Sequence, residues 1–314
     1  MRDFAVIIPT RNRADLLAET VASVLAQSLP PAEVVVVDDG SDDHTVARMA
    51  AFAPRVRLVR RAGGGGALAR RAEIPRTESP WIAFQDDDDI WQPNHLAALD
   101  RALAFAEAAG TPAGLAFANF DHIGPAAKLD HDHFAAAPKG WWARATALED
   151  GPHRLLRAEA YLDFLRYNPV FPSAMAFSRT AYEAAGGIDP AFNRTPSGDS
   201  DLTRRLTLVT RAVCTCERTV HIRKHGGNFS RSSAHNTLGR ARILESHVAG
   251  ALVPRAWRAQ VAGAARDARA QAVSELLWAG DVAGARAAAA GLPAGLLRWQ
   301  DRIKLLAARL TGRG

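Results

Sequence analysis

The sequence predicts an α/β protein, a mixed, mainly parallel sheet flanked by helices and followed by a helical appendage. Apolar, β-branched runs alternate with helical patterns through the first third of the 314 residues. The first strands each end in a polar cluster, and after Ser230 the chain turns to Ala, Arg and Leu at helical spacing with almost no strand signal. Alternation of this kind builds βαβ units, whose crossovers make neighbouring strands parallel.

Residues 4–8 read as the first strand, and Leu16, Leu17, Val21, Val24 and Leu25 as the buried stripe of the helix after it. Residues 34–37, 56–59, 81–84 and 115–120 read as further strands. Three of these segments run into polar clusters: Pro9-Thr10-Arg11-Asn12, Asp38-Asp39-Gly40-Ser41 and Gln85-Asp86-Asp87-Asp88-Asp89. Open α/β sheets bind ligands beyond the carboxyl ends of their strands, so these clusters are expected to converge on one crevice. Residues 121–168 read as long loops with short helices. In Val213-Cys214-Thr215-Cys216, alternation puts both thiols on one face of a strand; the spacing is not that of a zinc ribbon, and they read as unreactive. Residues 231–314 read as helical, broken near Pro254 and Pro293.

With 48% hydrophobic residues the chain buries a sizeable core and is not disordered. A net charge of +6 fits nucleic acid, anionic lipid or phosphorylated substrates and selects none of them. The arginines are dispersed among Ala-rich helices without the interleaved aromatics of a stacking platform, which argues against nucleic acid as a partner. The N-terminus enters a strand without a signal-peptide pattern, and no stretch of about 18 uncharged apolar residues follows. The chain therefore reads as cytoplasmic and non-spanning.

Four consecutive aspartates repel one another unless a cation or a ring of hydrogen-bond donors offsets them. A hard divalent cation, Mg²⁺ or Mn²⁺, does so with one or two carboxylates, water and phosphate oxygens. In strand-like alternation Asp86 and Asp88 point the same way, leaving Asp87 and Asp89 for other duties. The other reading is a solvated acidic turn capping the next segment. The Gly63–Gly66 run lacks the lysine and hydroxyl of a P-loop and reads as a flexible loop.

At these residues the sequence resembles family 2 of the glycosyltransferases, whose fold is the GT-A type. The resemblance is carried in order by Val6-Ile7-Ile8-Pro9-Thr10-Arg11-Asn12-Arg13, Val37-Asp38-Asp39-Gly40-Ser41 and Phe84-Gln85-Asp86-Asp87-Asp88-Asp89-Ile90-Trp91-Gln92-Pro93. It continues through Gly186-Gly187-Ile188-Asp189, Asp199-Ser200-Asp201-Leu202 and Arg223-Lys224-His225-Gly226-Gly227-Asn228-Phe229-Ser230. It implies a transferase domain over residues 1–230, with a nucleotide-sugar-binding half (1–120) and an acceptor-binding half (121–230), then a C-terminal helical region over 231–314.

The resemblance also implies roles. Pro9, Thr10 and Arg11 line the nucleotide pocket, Asp39 with Asp38 beside it accepts a hydrogen bond from the base, and Arg70 contacts the nucleotide. Asp86 and Asp88 hold Mn²⁺ or Mg²⁺ on the donor's diphosphate, with Asp87 on the donor side and His225 at the metal or a phosphate. Asp199 stands where the family has its catalytic base. The chain departs from the pattern at Arg71, where asparagine is frequent, at Glu73, where glycine is, and at Gly198, where glutamate often precedes the base. The implied reaction is an inverting transfer from a nucleotide-diphosphate sugar, most simply a UDP-sugar, to a carbohydrate, lipid-linked or small-molecule acceptor. Two rival readings are a nucleotidyltransferase, although residues 6–13 lack its Gly-rich triphosphate loop, and a non-catalytic nucleotide-sugar-binding module.

His122, His131 and His133, among Asp121, Asp130 and Asp132, lack helical zinc spacing and read as an acceptor-side loop. Trp141 and Trp142 either stack on an acceptor sugar or pack the loop onto the core. The C-terminal helices carry Arg255, Trp257, Arg258, Trp299, Arg302 and Lys304. They read as a packed or homodimerising appendage, or as a peripheral contact at the inner face of a membrane.

Overall fold

The run Phe4-Ala5-Val6-Ile7-Ile8 is apolar at every position because the strand it forms is buried on both faces. The computed structural model describes residues 1–128, 130–225 and 232–310, the side chains of 308–310 excepted. Its strands are β1 (Phe4–Thr10), β2 (Glu33–Asp38), β3 (Arg57–Arg60), β4 (Trp81–Phe84), β5 (Ile90–Trp91), β6 (Ala113–Ile123), β7 (Thr146–Asp150), β8 (His153–Leu156), β9 (Met175–Ser178) and β10 (Arg211–Arg223). They form one sheet in the order β3-β2-β1-β4-β9-β6-β10-β8-β7, with β5 against β10.

β3, β2, β1 and β4 run parallel, as do β6 and β10, while β9 enters antiparallel between β4 and β6. The sheet is thus mixed, and parallel across β3, β2, β1 and β4, with helices on both faces. On one face Phe4, Val6, Ile8, Val34 and Val36 meet Leu17, Val21 and Val24 of the helix Ala14–Leu25 and Leu96, Leu99 and Leu103 of the helix His95–Ala108. On the other, Ala5, Ile7, Val35 and Val37 pack with Phe84, Phe117, Phe177, Leu202 and Leu206. Period-two alternation within each strand feeds both cores.

Two expectations shift, and one left open is resolved. The third strand lies at Arg57–Arg60, one residue later than its apolar centre suggests. The stretch 121–168 holds a hairpin, β7 with β8, besides short helices. Its strands gave no signal because β7 is an edge strand exposed at four of five positions, so it lacks an apolar alternation. Trp141 is fully buried with its indole N–H on the Asp163 carbonyl, and Trp142 bonds the Phe134 carbonyl, so both rings pack the loop.

The chain divides into two compact units, Met1–Asn193 with Leu202–Gly227, and Arg194–Asp201 with Asn228–Gly314. In the second, the helices Ser233–Ala249, Arg258–Trp278 and Val282–Ala289 share a small core of Ala234, Val273, Leu276, Leu277, Ala285 and Ala288. His247 Nε2 lies 2.7 Å from Asp201 Oδ1, both buried. A Cβ at Gly239 would stand 2.0 Å from the Pro196 carbonyl oxygen, so glycine is what lets that helix approach the loop. The helix Trp299–Leu310 is anchored by Asp301, buried and bonded to Ser274 and Arg298. No helix among the described residues is long and apolar enough to cross a membrane.

Candidate active site

Three strand ends meet at this site. β1 ends at Thr10, whose hydroxyl donates to Asp87 Oδ2 at 2.8 Å, and the Thr10 carbonyl accepts the Asp39 amide at 2.9 Å. These two bonds tie the end of β1 to the polar segments after β4 and β2. Pro9 is buried beside Gly66, and Arg11 is exposed just past the strand.

The four aspartates form a turn, closed by the Asp89 amide on the Asp86 carbonyl at 3.4 Å. Strand alternation does not govern them. Asp87 and Asp88, adjacent in sequence, converge on Arg13 Nη1, each at 2.9 Å, while Asp86 pairs with Arg70. Asp88 Oδ2 also lies 2.9 Å from His225 Nε2. Asp89 is buried, with Ser173 Oγ at 2.5 Å and the Arg223 amide at 2.8 Å.

These surroundings set the electrostatics. Burial, with Asp88 adding repulsion and Arg13 and Thr10 opposing, pushes the Asp87 carboxyl up to about 6. Burial and the neighbouring Asp86 and Asp88 push Asp89 well up, against the bonds from Ser173 and Arg223. Burial also lowers Lys224, despite Asp89, Asp88 and Asp86 nearby. The repulsion is offset by the Arg13 and Arg70 ion pairs, while burial favours the protonated forms of Asp87 and Asp89. Among the described residues, no group of three or more His, Cys, Asp or Glu side chains is arranged to hold a metal ion. The donors present at Asp86 and Asp88, hard oxygens beside an imidazole, nonetheless suit Mg²⁺ or Mn²⁺.

Asp38 and Asp39 differ sharply although both are buried. Asp38 holds its own turn, accepting the Ser41 amide at 2.8 Å and Arg60 Nε at 2.9 Å. Asp39 Oδ2 accepts the Gly65 amide at 2.6 Å, but Oδ1 is buried with no hydrogen-bond partner. The glycine run lies against it: a Cβ at Gly64 would be 3.8 Å from Oδ1. Expected as a flexible loop, this run is tied down by Asp39 and by Asn193, whose Nδ2 donates to the Gly64 carbonyl at 2.5 Å and whose Oδ1 accepts the Leu68 amide at 3.1 Å.

Arg70 also stacks over Phe84, 4.8 Å from the ring centre. Asp199 is exposed in the first turn of the helix Asp199–Val209 and belongs to the second unit. Residues 226–230 of the motif beginning at Arg223 lie outside the described residues. His122 and His131 stack at 3.7 Å and His133 stacks on Phe120 at 4.1 Å, an aromatic loop rather than a metal centre. Arg13, Ser173 and Asn193 were not singled out by sequence reading. Arg13 closes the first hallmark string and was within reach; Ser173 and Asn193 belong to no motif.

The chain matches the sequence profile of Glycosyl transferase family 2 over residues 5–161. It is 42% identical over 125 residues to the succinoglycan biosynthesis protein ExoO of Rhizobium meliloti, a match covering 38% of this chain and 34% of that one. The chain thus spans about a third of the length of that curated relative. Its fold is like that of S. aureus TarS in complex with UDP-GlcNAc, at a TM-score of 0.59 and 15% identity over 98% of this chain and 79% of the other. It is also like that of the mannosyltransferase PcManGT from Pyrobaculum calidifontis in complex with GDP-Man and Mn²⁺, at 0.53 and 21% over 100% and 90%. At such identities the likeness establishes a common fold.

Proposed function

The chain belongs to glycosyl transferase family 2, and from that premise we propose that it is an inverting, metal-dependent glycosyltransferase using a UDP-sugar. Its acceptor is a hydroxyl of a carbohydrate, lipid-linked or small-molecule substrate, in the synthesis of polysaccharide, glycolipid or another glycoconjugate.

One observation carries the donor reading: Asp39 Oδ1 is a buried acceptor without a donor. A buried polar atom left unpaired is costly, and the imide N–H of uracil is a donor that relieves it. The glycine run beside Asp39 has φ values of +100°, +155° and +110° at Gly63, Gly64 and Gly65 and carries no side chains of its own, which leaves its backbone open to close approach by the base. Proteins of this fold are known in complex with UDP-GlcNAc and with GDP-Man, so the choice of uridine is the part of the proposal that the comparison of UDP with GDP tests.

Asp86 and Asp88 would hold Mn²⁺ or Mg²⁺, which supplies Lewis-acid stabilisation to the departing diphosphate. Diphosphate oxygens and water complete such a shell, so the turn needs only one or two carboxylates. Arg13 pairs with Asp88 and Arg70 with Asp86, which fixes the two carboxylates in place on the protein side. Asp199 takes the proton from the acceptor hydroxyl as its oxygen attacks the anomeric carbon, and the bond to the diphosphate breaks on the opposite side.

The test pairs binding with turnover. With Mn²⁺ present, UDP should raise the melting temperature more than GDP does, and Asp199→Asn should keep that shift while losing UDP release from a UDP-sugar. A larger GDP shift would overturn the uridine assignment, and unimpaired turnover in Asp199→Asn would remove it from the base role.

A further inference from the structure

The helix Trp299–Leu310 buries the wrong side for an ordinary surface helix. Its one acid, Asp301, is 1% exposed, whereas Trp299, Ile303 and Leu306 are 67%, 54% and 57% exposed. At 100° per residue these three positions fall within a single narrow stripe. Exposed Arg302 lies about 40° from one edge of it and exposed Lys304 about 100° beyond the other. Trp278, which ends the helix Arg258–Trp278, is 88% exposed. Scattered exposed apolar residues need no explanation, but a tryptophan-led stripe with a cation on its flank does.

We infer that this stripe is a membrane-docking face that lies in the headgroup region of an anionic bilayer. The apolar side chains enter the acyl boundary, Trp299 sits at the interface where its ring and N–H are both accommodated, and Arg302 and Lys304 meet lipid phosphates. The charge pattern selects this occupant over a second copy of the chain. Symmetric pairing through the stripe would bring Arg302 and Lys304 of two copies together, and Asp301 is buried against Ser274 and Arg298 and does not offset them. The inference is independent of the transfer reaction, because none of these residues is assigned a part in it.

The test is co-sedimentation of the full chain with vesicles of phosphatidylcholine alone or with about 30% phosphatidylglycerol, whose negative surface attracts basic segments. The wild type should bind the anionic vesicles at least about tenfold more tightly, with a blue-shifted tryptophan emission and weakening as salt rises. Trp299→Ser/Ile303→Ser/Leu306→Ser should lose at least about tenfold of that binding with an unchanged melting temperature, since the three side chains are exposed. Arg302→Glu/Lys304→Glu, which leaves the apolar stripe intact, should abolish the preference for anionic lipid and carries the test alone if the triple variant does not fold. Wild type that ignores anionic vesicles, variants that bind as well as wild type, or a dimer that dissociates in the triple variant without any vesicle binding would each overturn the inference.

Discussion

His225 Nε2 lies 2.9 Å from Asp88 Oδ2, the same oxygen that Arg13 Nη1 approaches at 2.9 Å. One carboxylate oxygen thus serves two nitrogen groups, and a divalent cation at Asp88 has to enter against both. Through this contact His225 fixes the position of the Asp88 carboxylate. His225→Ala is expected to lower Mn²⁺-dependent UDP affinity about 10–100-fold, the usual effect of losing a group that supports a metal ligand. Asp88→Asn should abolish the metal-dependent part altogether. Calorimetric titration of UDP with and without Mn²⁺ reads both, and equal Mn²⁺ dependence in Asp88→Asn would sink the metal assignment.

Asp39→Asn tests the base contact. The amide oxygen still accepts from Gly65, so the loop stays tied, but an N–H₂ now faces the position that called for an acceptor. A hydrogen bond to a charged group contributes about 1.5–3 kcal/mol, so UDP affinity should fall about 10–100-fold. The melting temperature without ligand should change little. Undiminished UDP binding in the variant would place the base elsewhere.

The parts of this site that were legible in the sequence are those where an apolar run breaks into polar residues. Thr10, Asp38–Asp39 and Asp86–Asp89 each follow a strand buried on both faces, so the strand end and the ligand edge announce themselves together. What could not be read is partnership across the chain. Nothing local says that Arg13 will meet Asp87 and Asp88 or that Asn193 will clasp Gly64, since the fold alone brings these distant segments together. For the same reason the pairing of Arg13 and Arg70 with the acidic run was invisible. The hairpin of β7 and β8 was missed for a different reason, because an exposed edge strand has no buried face to impose a pattern.

Gly65 has φ of +110°, and a Cβ there would stand 2.7 Å from Asn193 Oδ1 and 2.8 Å from Nδ2. Asn193 cannot step aside without releasing the Gly64 carbonyl and the Leu68 amide. Gly65→Ala should therefore lose about 1–3 kcal/mol from backbone strain, with added loss from the broken clasp. Gly110→Ala is the control, with φ of +66° and open space around its Cβ, and should lose only about 1–2 kcal/mol. Denaturant titration compares the two, and a Gly65→Ala protein as stable as Gly110→Ala would mean that the clasp contributes nothing.

The histidines govern how stability responds to acid. Burial lowers His95 to about 3, and burial with nearby positive groups lowers His122 to about 3 and His133 to about 4; His131 and His153 are also lowered, chiefly by burial. Unfolded histidine titrates near ~6.5, so below that pH the unfolded chain binds protons that the native chain refuses, and stability falls as pH drops toward the native values. Asp87, raised to about 6, acts in the opposite sense, because between about 6 and ~3.9 it is the native chain that holds the extra proton. Asp89, also raised, adds to that opposing effect. Five histidines outweigh two aspartates, so the melting temperature should fall as pH is lowered from 7 to 4.5. His95 is fully buried, with Nδ1 2.8 Å from Thr219 Oγ1 and Nε2 unpartnered. His95→Gln, which keeps a group able to bond Thr219 but does not titrate, should make that fall shallower. A melting temperature that rises on acidification to pH 5 would mean that the aspartates dominate instead.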